Sequence, residues 1–362
     1  MKRSSLHDQR GLTLTELMVA IAVSLLATLA IFQAFAIAEG HRRTATSGGD
    51  ASFGGMVGTH LLQRDLRMAG YGMNSPVYLG CRVLGADMSS GTARAFEFRL
   101  SPVVITQGSG NAPDSLTVVY SGSDRLPAPI KLAQAMASAT DSYRVTNPYG
   151  IFAGDLLIAA ETGRDCTLAE ATVTPSSAPV GQRDLVPHTN TSYTNAQGVA
   201  ATARYNSPAG LGVTYTLDGV LMNVGTAPVV NTYAIAANGL VVDQPLLNVT
   251  GAPVAANVVQ LQAEYGIDAN NNAAIESTEW STTTPTTAVG WTTVLAVRYA
   301  LAVRSALPER PDPVSGACSI TTANPTWAGG TLDVSADANW RCYRYRVFEG
   351  ATSLRNLIWR PE

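Results

Sequence analysis

From Leu17 to Ala38 the chain is apolar almost without a break, with only Ser24, Thr28 and Gln33 interrupting it. As a helix rising about 1.5 Å per residue, the run covers roughly 33 Å, the thickness of a bilayer's hydrocarbon core. Ser and Thr are tolerated there because their hydroxyls bond back to the helix's own carbonyls. Glu16 stands at the mouth of the run. A charge inside a membrane helix costs about 2.5–3.5 kcal/mol on insertion scales, so a carboxylate at this position calls for a partner. Beyond Ala38 the pattern weakens at Gly40, Gly48, Gly49, Gly54, Gly55 and Gly58, each worth about 0.8–1 kcal/mol against a helix relative to Ala. Apolar spacing by threes and fours resumes at Met56 and Val57 and continues through Leu61, Leu62, Leu66 and Ala69, with Arg64, Asp65 and Arg67 between; Gly70 suits a C-terminal cap. The pattern predicts one long helix over about 12–70, softened or broken between 40 and 55.

From Gly72 onward the period changes to two. Phe96 to Leu100 alternates, and so does Thr293 to Ser305, with Leu295, Val297, Tyr299, Leu301 and Val303 on one face and Arg298 and Arg304 on the other. Further strands are expected at Val118–Tyr120, Leu156–Ile158, Gly239–Val242, Val258–Tyr265 and Tyr343–Phe348, with Pro and Gly between them. The stretch 175–235, rich in Thr, Asn, Ala and Gly, reads as a loop-rich insertion in a head covering 71–362.

Composition narrows the class. Of 362 residues only 14% are charged, 24 basic against 27 acidic. No basic run exists beyond Arg341, Arg344 and Arg346, so nucleic-acid binding has no electrostatic support. Cys81, Cys166, Cys318 and Cys342 lie far apart without a C-x-x-C pair, which removes metal-type spacing. In an exported chain their even number favours two disulfides. Three connectivities are open; the sequential one, Cys81–Cys166 with Cys318–Cys342, closes the shorter loops.

Lys2, Arg3 and Arg10, against the single acid Asp8, precede the apolar run. Positive charge there holds the extreme N-terminus in the cytoplasm and sends the remainder outside it. An ordinary secretory signal fits poorly, because the apolar region exceeds the usual length of about 7–15 residues and contains Glu16. A plain single-pass anchor has no use for Glu16. The run Arg10-Gly11-Leu12-Thr13-Leu14-Thr15-Glu16-Leu17 closely resembles the type IV prepilin family. That resemblance implies a leader of residues 1–11 removed by a prepilin peptidase between Gly11 and Leu12. It also implies an N-methylated amine on Leu12, and pairing of Glu16, the fifth mature residue, with the amine of a neighbouring subunit. Leu12 departs from the Phe most members carry there.

Two further stretches sharpen the likeness. Leu61-Leu62-Gln63-Arg64-Asp65-Leu66-Arg67-Met68-Ala69-Gly70-Tyr71 resembles the helix end of PilW-type minor pilins and of the related J-type pseudopilins of type II secretion. The runs 258–268 and 290–305, and the ending Tyr343–Phe348 with Leu354-Arg355-Asn356, resemble the PilW pattern. The implied fold is α+β and type IV pilin-like, a long N-terminal helix (residues 12–70, with 17–38 crossing the membrane) packed on a large antiparallel β-rich head. The implied function is assembly. Together with other minor pilins and the major pilin the chain would prime a pilus and remain at its tip, in contact with an adhesin. It would sit in the inner membrane with a periplasmic head beforehand. The J-type pseudopilin is the alternative within the family, and a membrane-anchored or secreted binding domain is the alternative outside it.

The sequence holds no catalytic signature. His7, His41, His60 and His188 are scattered, and no H-E-x-x-H, G-x-S-x-G, phosphate-binding loop or dinucleotide fingerprint is present. One stretch does fit a metal template. Asp268, Asn270, Asn272, Glu276 and Glu279 occupy oxygen positions of the twelve-residue calcium loop, with the Ala274 carbonyl available as a further ligand. Ala273 stands where the sharp turn asks for Gly. Trp291, Trp340 and Trp359 read as packing residues. The Arg341, Arg344 and Arg346 row reads as a solvated strand face, or as a contact for an acidic patch on a neighbour.

Overall fold

The computed structural model of the chain describes residues 13–358, apart from Asn74, Leu126, Pro127, Asn238 and Pro313. Leu14–Met68 forms a single unbroken α-helix. The expected softening between 40 and 55 does not occur, because the glycines there serve two different environments. Gly54, Gly55 and Gly58 lie on the face that meets the head. A Cβ on Gly55 would come within 2.1 Å of the Phe348 ring, and one on Gly58 within 3.1 Å of Leu301. These glycines bring the helix backbone close to a sheet, and the packing gained there exceeds their propensity cost. Gly40, Gly48 and Gly49 meet nothing within 4 Å. Breaking the helix at those positions would expose new unsatisfied ends on both sides, which is worse than the propensity penalty.

The buried helix face therefore runs through Ala51, Gly54, Gly55, Gly58, Leu62, Asp65, Leu66 and Ala69, spaced by threes and fours. Met56, expected to open that face, is 56% exposed. Past the helix, Gly70 takes φ +76°, and its N–H bonds the Val119 carbonyl at 2.9 Å. The chain is thus handed from helix to sheet at the cap expected from sequence.

The sheet facing the helix is four-stranded and antiparallel, in the order Trp280–Ser281, Val258–Ile267, Val294–Arg304, Tyr345–Ser353. Val297, Tyr299, Leu301 and Val303 are fully buried within the main core. The opposite face is covered too: Ala300 and Ala302 pack against Leu332 and Val334 from the long excursion between strands. A second sheet of five antiparallel strands follows in the order Val249–Ala256, Gly239–Gln244, Val229–Ala236, Ser115–Tyr120, Val103–Thr106.

The third sheet has six strands, in the order Arg94–Arg99, Arg82–Asp87, Cys166–Glu170, Leu156–Ala160, Val220–Gly225, Ile130–Lys131. It departs from the all-antiparallel expectation, since Arg82–Asp87 and Cys166–Glu170 run parallel. A long crossover lies between them, carrying strands of the other sheets, as parallel neighbours require. The part of the expected insertion beyond Val220 is also strand: Val220–Gly225 and Val229–Ala236 sit inside two sheets. Their polar members, Asn223 and Asn231, masked the strand signal because their amides are buried and hydrogen-bonded instead of exposed. Leu156, Ile158 and Ala160 face the main core, while Leu157 and Ala159 face a second core closed by Tyr143, Val145 and Tyr215.

Candidate assembly site

Leu14 to Gly40 is long and apolar enough to cross a bilayer, and none of it is buried against the head. Gly11 and Leu12, the expected processing residues, lie outside the described residues, as does Trp359. Glu16 is described, and its carboxylate is engaged locally. Its Oε2 accepts the Thr13 backbone N–H at 3.0 Å and the Thr13 hydroxyl at 2.9 Å. In return the Thr13 hydroxyl oxygen accepts the Glu16 N–H at 3.3 Å. This is a reciprocal capping box, closing otherwise unmet N–H groups at the helix start. The T-x-x-E spacing that signals it stands in the sequence, and it gives Glu16 a use within its own chain besides the expected pairing with another subunit.

The helix is fastened to the head at its other end by a carboxylate. Asp65 is fully buried. It accepts the Tyr233 hydroxyl at 2.7 Å, the Asn231 amide at 2.6 Å and the Tyr120 hydroxyl at 3.3 Å. Arg64 reaches it from the solvent side at 2.9 Å. The sequence placed Asp65 among the polar residues between apolar ones, yet its three- and four-residue spacing from Leu62 and Ala69 already assigns it to the buried face. A buried carboxylate is tolerated when its lone pairs are filled, and here two strands of the five-stranded sheet supply the donors. Burial, then the neighbouring Asp65 charge, pushes the Tyr120 phenol up to about 12, and the same two causes raise Tyr233 further.

The far C-terminus completes the junction. The Asn356 side-chain amide donates to the carbonyls of Met68 at 3.2 Å and Ala69 at 3.0 Å, satisfying acceptors that a helix end leaves open. Tyr299 donates its hydroxyl to the Thr59 carbonyl at 3.2 Å. The central strand thus holds the helix at Thr59 and Asn356 holds it at its end, more than two turns further on.

The four cysteines form Cys81–Cys166 and Cys318–Cys342, with Cα separations of 6.0 Å and 4.9 Å. The first joins the starts of the two parallel strands; the second closes the excursion that covers the outer face of the four-stranded sheet. Trp291 is core, 1% exposed and edge-on to Tyr265. In the arginine row, Arg344 pairs with Glu309 at 3.0 Å, Arg341 lies over the Trp340 ring, and Arg346 is exposed.

The calcium-template loop joins two neighbouring strands, leading from Val258–Ile267 to Trp280–Ser281. Ala273 adopts φ +62°, so the turn has the shape the template gives to Gly. Asp268 is buried, and its oxygens accept the N–H groups of Asn272 at 3.0 Å and Ala273 at 3.1 Å. Asn270 accepts the Asn272 N–H at 3.0 Å, and Asn272 accepts the Ala274 N–H at 2.8 Å. Glu279 closes the ring by accepting the N–H groups of Ala269 at 3.1 Å and Glu276 at 2.9 Å. Asp268, Asn270, Asn272 and Glu279 thus share one loop, each accepting a loop backbone N–H, and Glu276 accepts the Asn272 side-chain amide at 3.1 Å. Among the described residues, no three His, Cys, Asp or Glu side chains cluster as metal ligands.

Two family comparisons bear on this architecture. Residues 6–32 match the prokaryotic N-terminal methylation motif. Residues 232–356 match PilW, type IV pilus-assembly protein W. The chain carries a PilW domain behind a prepilin-type N-terminus. No curated protein and no solved structure matches it. The matched stretch contains the whole four-stranded sheet, the Cys318–Cys342 bridge, Asn356 and Tyr233, whereas Asn231 and Tyr120, the other partners of Asp65, lie before it. The six-stranded sheet lies before it in the chain. An N-terminal methylation motif on an exposed apolar helix is a membrane-anchoring arrangement, and the two matches together support a component of type IV pilus assembly of the minor-pilin kind.

Proposed function

We propose that this chain is a minor pilin that helps to prime the type IV pilus and stays at its tip. The carrying observation is the division of the helix, whose first half is apolar and free of the head while its second half is locked into it. A free apolar half suits first the inner membrane, with the head in the periplasm, and then a bundle of other pilins' helices. Processing by the prepilin peptidase between Gly11 and Leu12 leaves Thr13 and Glu16 in the mature chain. Assembly then turns Glu16 from its own Thr13 N–H towards the Leu12 amine of a neighbouring subunit, a stronger, charge-assisted partner. The bulk of the head, with a third sheet beyond the PilW domain, is hard to repeat along a filament shaft and fits at an end, beneath an adhesin.

The test is the mature chain and its place in the filament. Mass spectrometry is expected to find an N-terminus at Leu12 with one added methyl, and labelling of the head is expected to mark filament ends. A chain starting at Met1 or Glu39, or label spread along the shaft, overturns the reading.

A further inference from the structure

A cleft of about 600 Å³ opens between the five- and six-stranded sheets, within the size range of small-molecule sites. Most of its wall comes from residues 153–231, before the PilW domain proper, so it belongs to this chain's own elaboration. One side is lined by the hairpin of Ser192–Thr194 and Ala200–Thr202.

Among the described residues lining the cleft, Glu170 and Arg204 carry charge, and both are hydrogen-bonded within the protein. Glu170 is 6% exposed. It accepts the Tyr193 hydroxyl at 2.5 Å and the backbone N–H groups of Arg204 at 2.7 Å and Tyr205 at 3.2 Å. The Arg204 guanidinium grips Asp87 through two bonds of 2.9 and 2.8 Å. Both charged groups are therefore already hydrogen-bonded to the protein itself. What remains is the half-exposed ring of Tyr193, beside the uncharged hydrogen-bonding groups of Asn195, Gln197 and Gln244, while Tyr205 is core, with Phe96 edge-on to its ring and the Arg204 guanidinium over it. Side-chain amides offer donors and an acceptor together, and aromatic rings offer a flat apolar surface.

We propose that this cleft binds a neutral carbohydrate. A sugar ring presents an apolar C–H face to a tyrosine and hydroxyls that both donate and accept to amides, which is the mixture found here. The cleft is preorganised from below. Gln244 donates its amide to Asn231 at 2.9 Å, and Asn231 donates to Asp65 at 2.6 Å. The carboxylate that fastens the helix thereby also holds Asn231 and Gln244 on the cleft's wall, which lowers the ordering cost of binding there.

The experiment uses the full chain in micelles of a zwitterionic, sugar-free detergent. Maltotriose, chitotriose and a capped, uncharged tripeptide are titrated separately by isothermal calorimetry. Saturable binding of at least one trisaccharide is expected, weakened tenfold or more by Tyr193→Ala. Ala201→Trp, which fills the cleft from the hairpin without removing a hydrogen bond to Glu170, is expected to do the same with an unchanged melting temperature. No trisaccharide binding at millimolar concentration, binding of the tripeptide alone, or equal binding by a folded Ala201→Trp variant each overturns the proposal.

Discussion

Thr13 and Glu16 cap one another at the first turn of the helix, with the backbone N–H of Thr13 bonded to the Glu16 carboxylate at 3.0 Å and the N–H of Glu16 bonded to the Thr13 hydroxyl at 3.3 Å. Glu16 thus has a use within its own chain as well as the intersubunit one proposed for it. Substitutions separate the two. Glu16→Gln keeps an acceptor in the capping box but removes the charge, whereas Thr13→Ala keeps the charge and loses about 1 kcal/mol of cap. Both variants should be processed normally, as read from the mature mass. The Gln variant should fail to enter filaments while Thr13→Ala enters them; normal entry of Glu16→Gln would sink the pairing role.

Asp65 ties alkaline stability to the helix–head junction. The half-buried Tyr120 phenol is pushed up from its ordinary value of 10.0 to about 12. A group raised on folding stabilises the folded state fully below its unfolded value and loses that contribution as pH climbs to the folded one. The unfolding midpoint should therefore hold to about pH 10 and fall between pH 10 and 12, alongside phenolate absorbance. Asp65→Ala leaves three donors without their acceptor, each orphaned group worth about 1–3 kcal/mol. A variant as stable as the parent in chemical denaturation would show that the buried carboxylate does not fasten the helix.

Two glycine substitutions should act in opposite directions. Gly48→Ala meets nothing within 4 Å and should raise stability by up to about 1 kcal/mol. Gly55→Ala drives a methyl to within 2.1 Å of Phe348, and overpacking of this kind costs about 1–3 kcal/mol. Thermal melts of the two variants decide it, and a matching shift in both would mean the helix does not dock as described.

The calcium reading of Asp268–Glu279 is a proposal with a clean readout. Calcium should give heat on titration and raise the melting temperature, and Asp268→Ala should abolish both effects. Ala273→Gly should relieve the left-handed turn at φ +62°, worth about 1–2 kcal/mol, and tighten calcium binding. Absence of heat, with Asp268→Ala as stable as the parent, would remove the metal from consideration.

Reduction should act on the two bridges unequally. Cys81–Cys166 encloses a separation of 85 residues and Cys318–Cys342 one of 24. Loop entropy assigns about 4.5 and about 3.5 kcal/mol respectively. Paired Cys→Ser variants measured by denaturant unfolding test that order, and a larger loss at the shorter loop would contradict it.

Local pattern alone determined a good deal of this protein. The apolar run, the charge at its mouth, the alternating strands at 294–304 and 258–267, and the loop at 268–279 are encoded in neighbouring residues, so periodicity and motif reveal them. Residues whose role depends on a distant partner were not legible in that way. Gly54, Gly55 and Gly58 looked like helix breakers until a sheet lay against them. Asn231 looked like loop until Asp65 arrived from 166 residues away. Asn356 gave no sign that it would cap a helix ending 288 residues earlier. Sequence fixes the period of an element and the chemistry of each side chain. Only the tertiary structure decides whether a glycine is a gap or a contact, and whether a polar group is exposed or paired, because both depend on what the rest of the chain brings up against it.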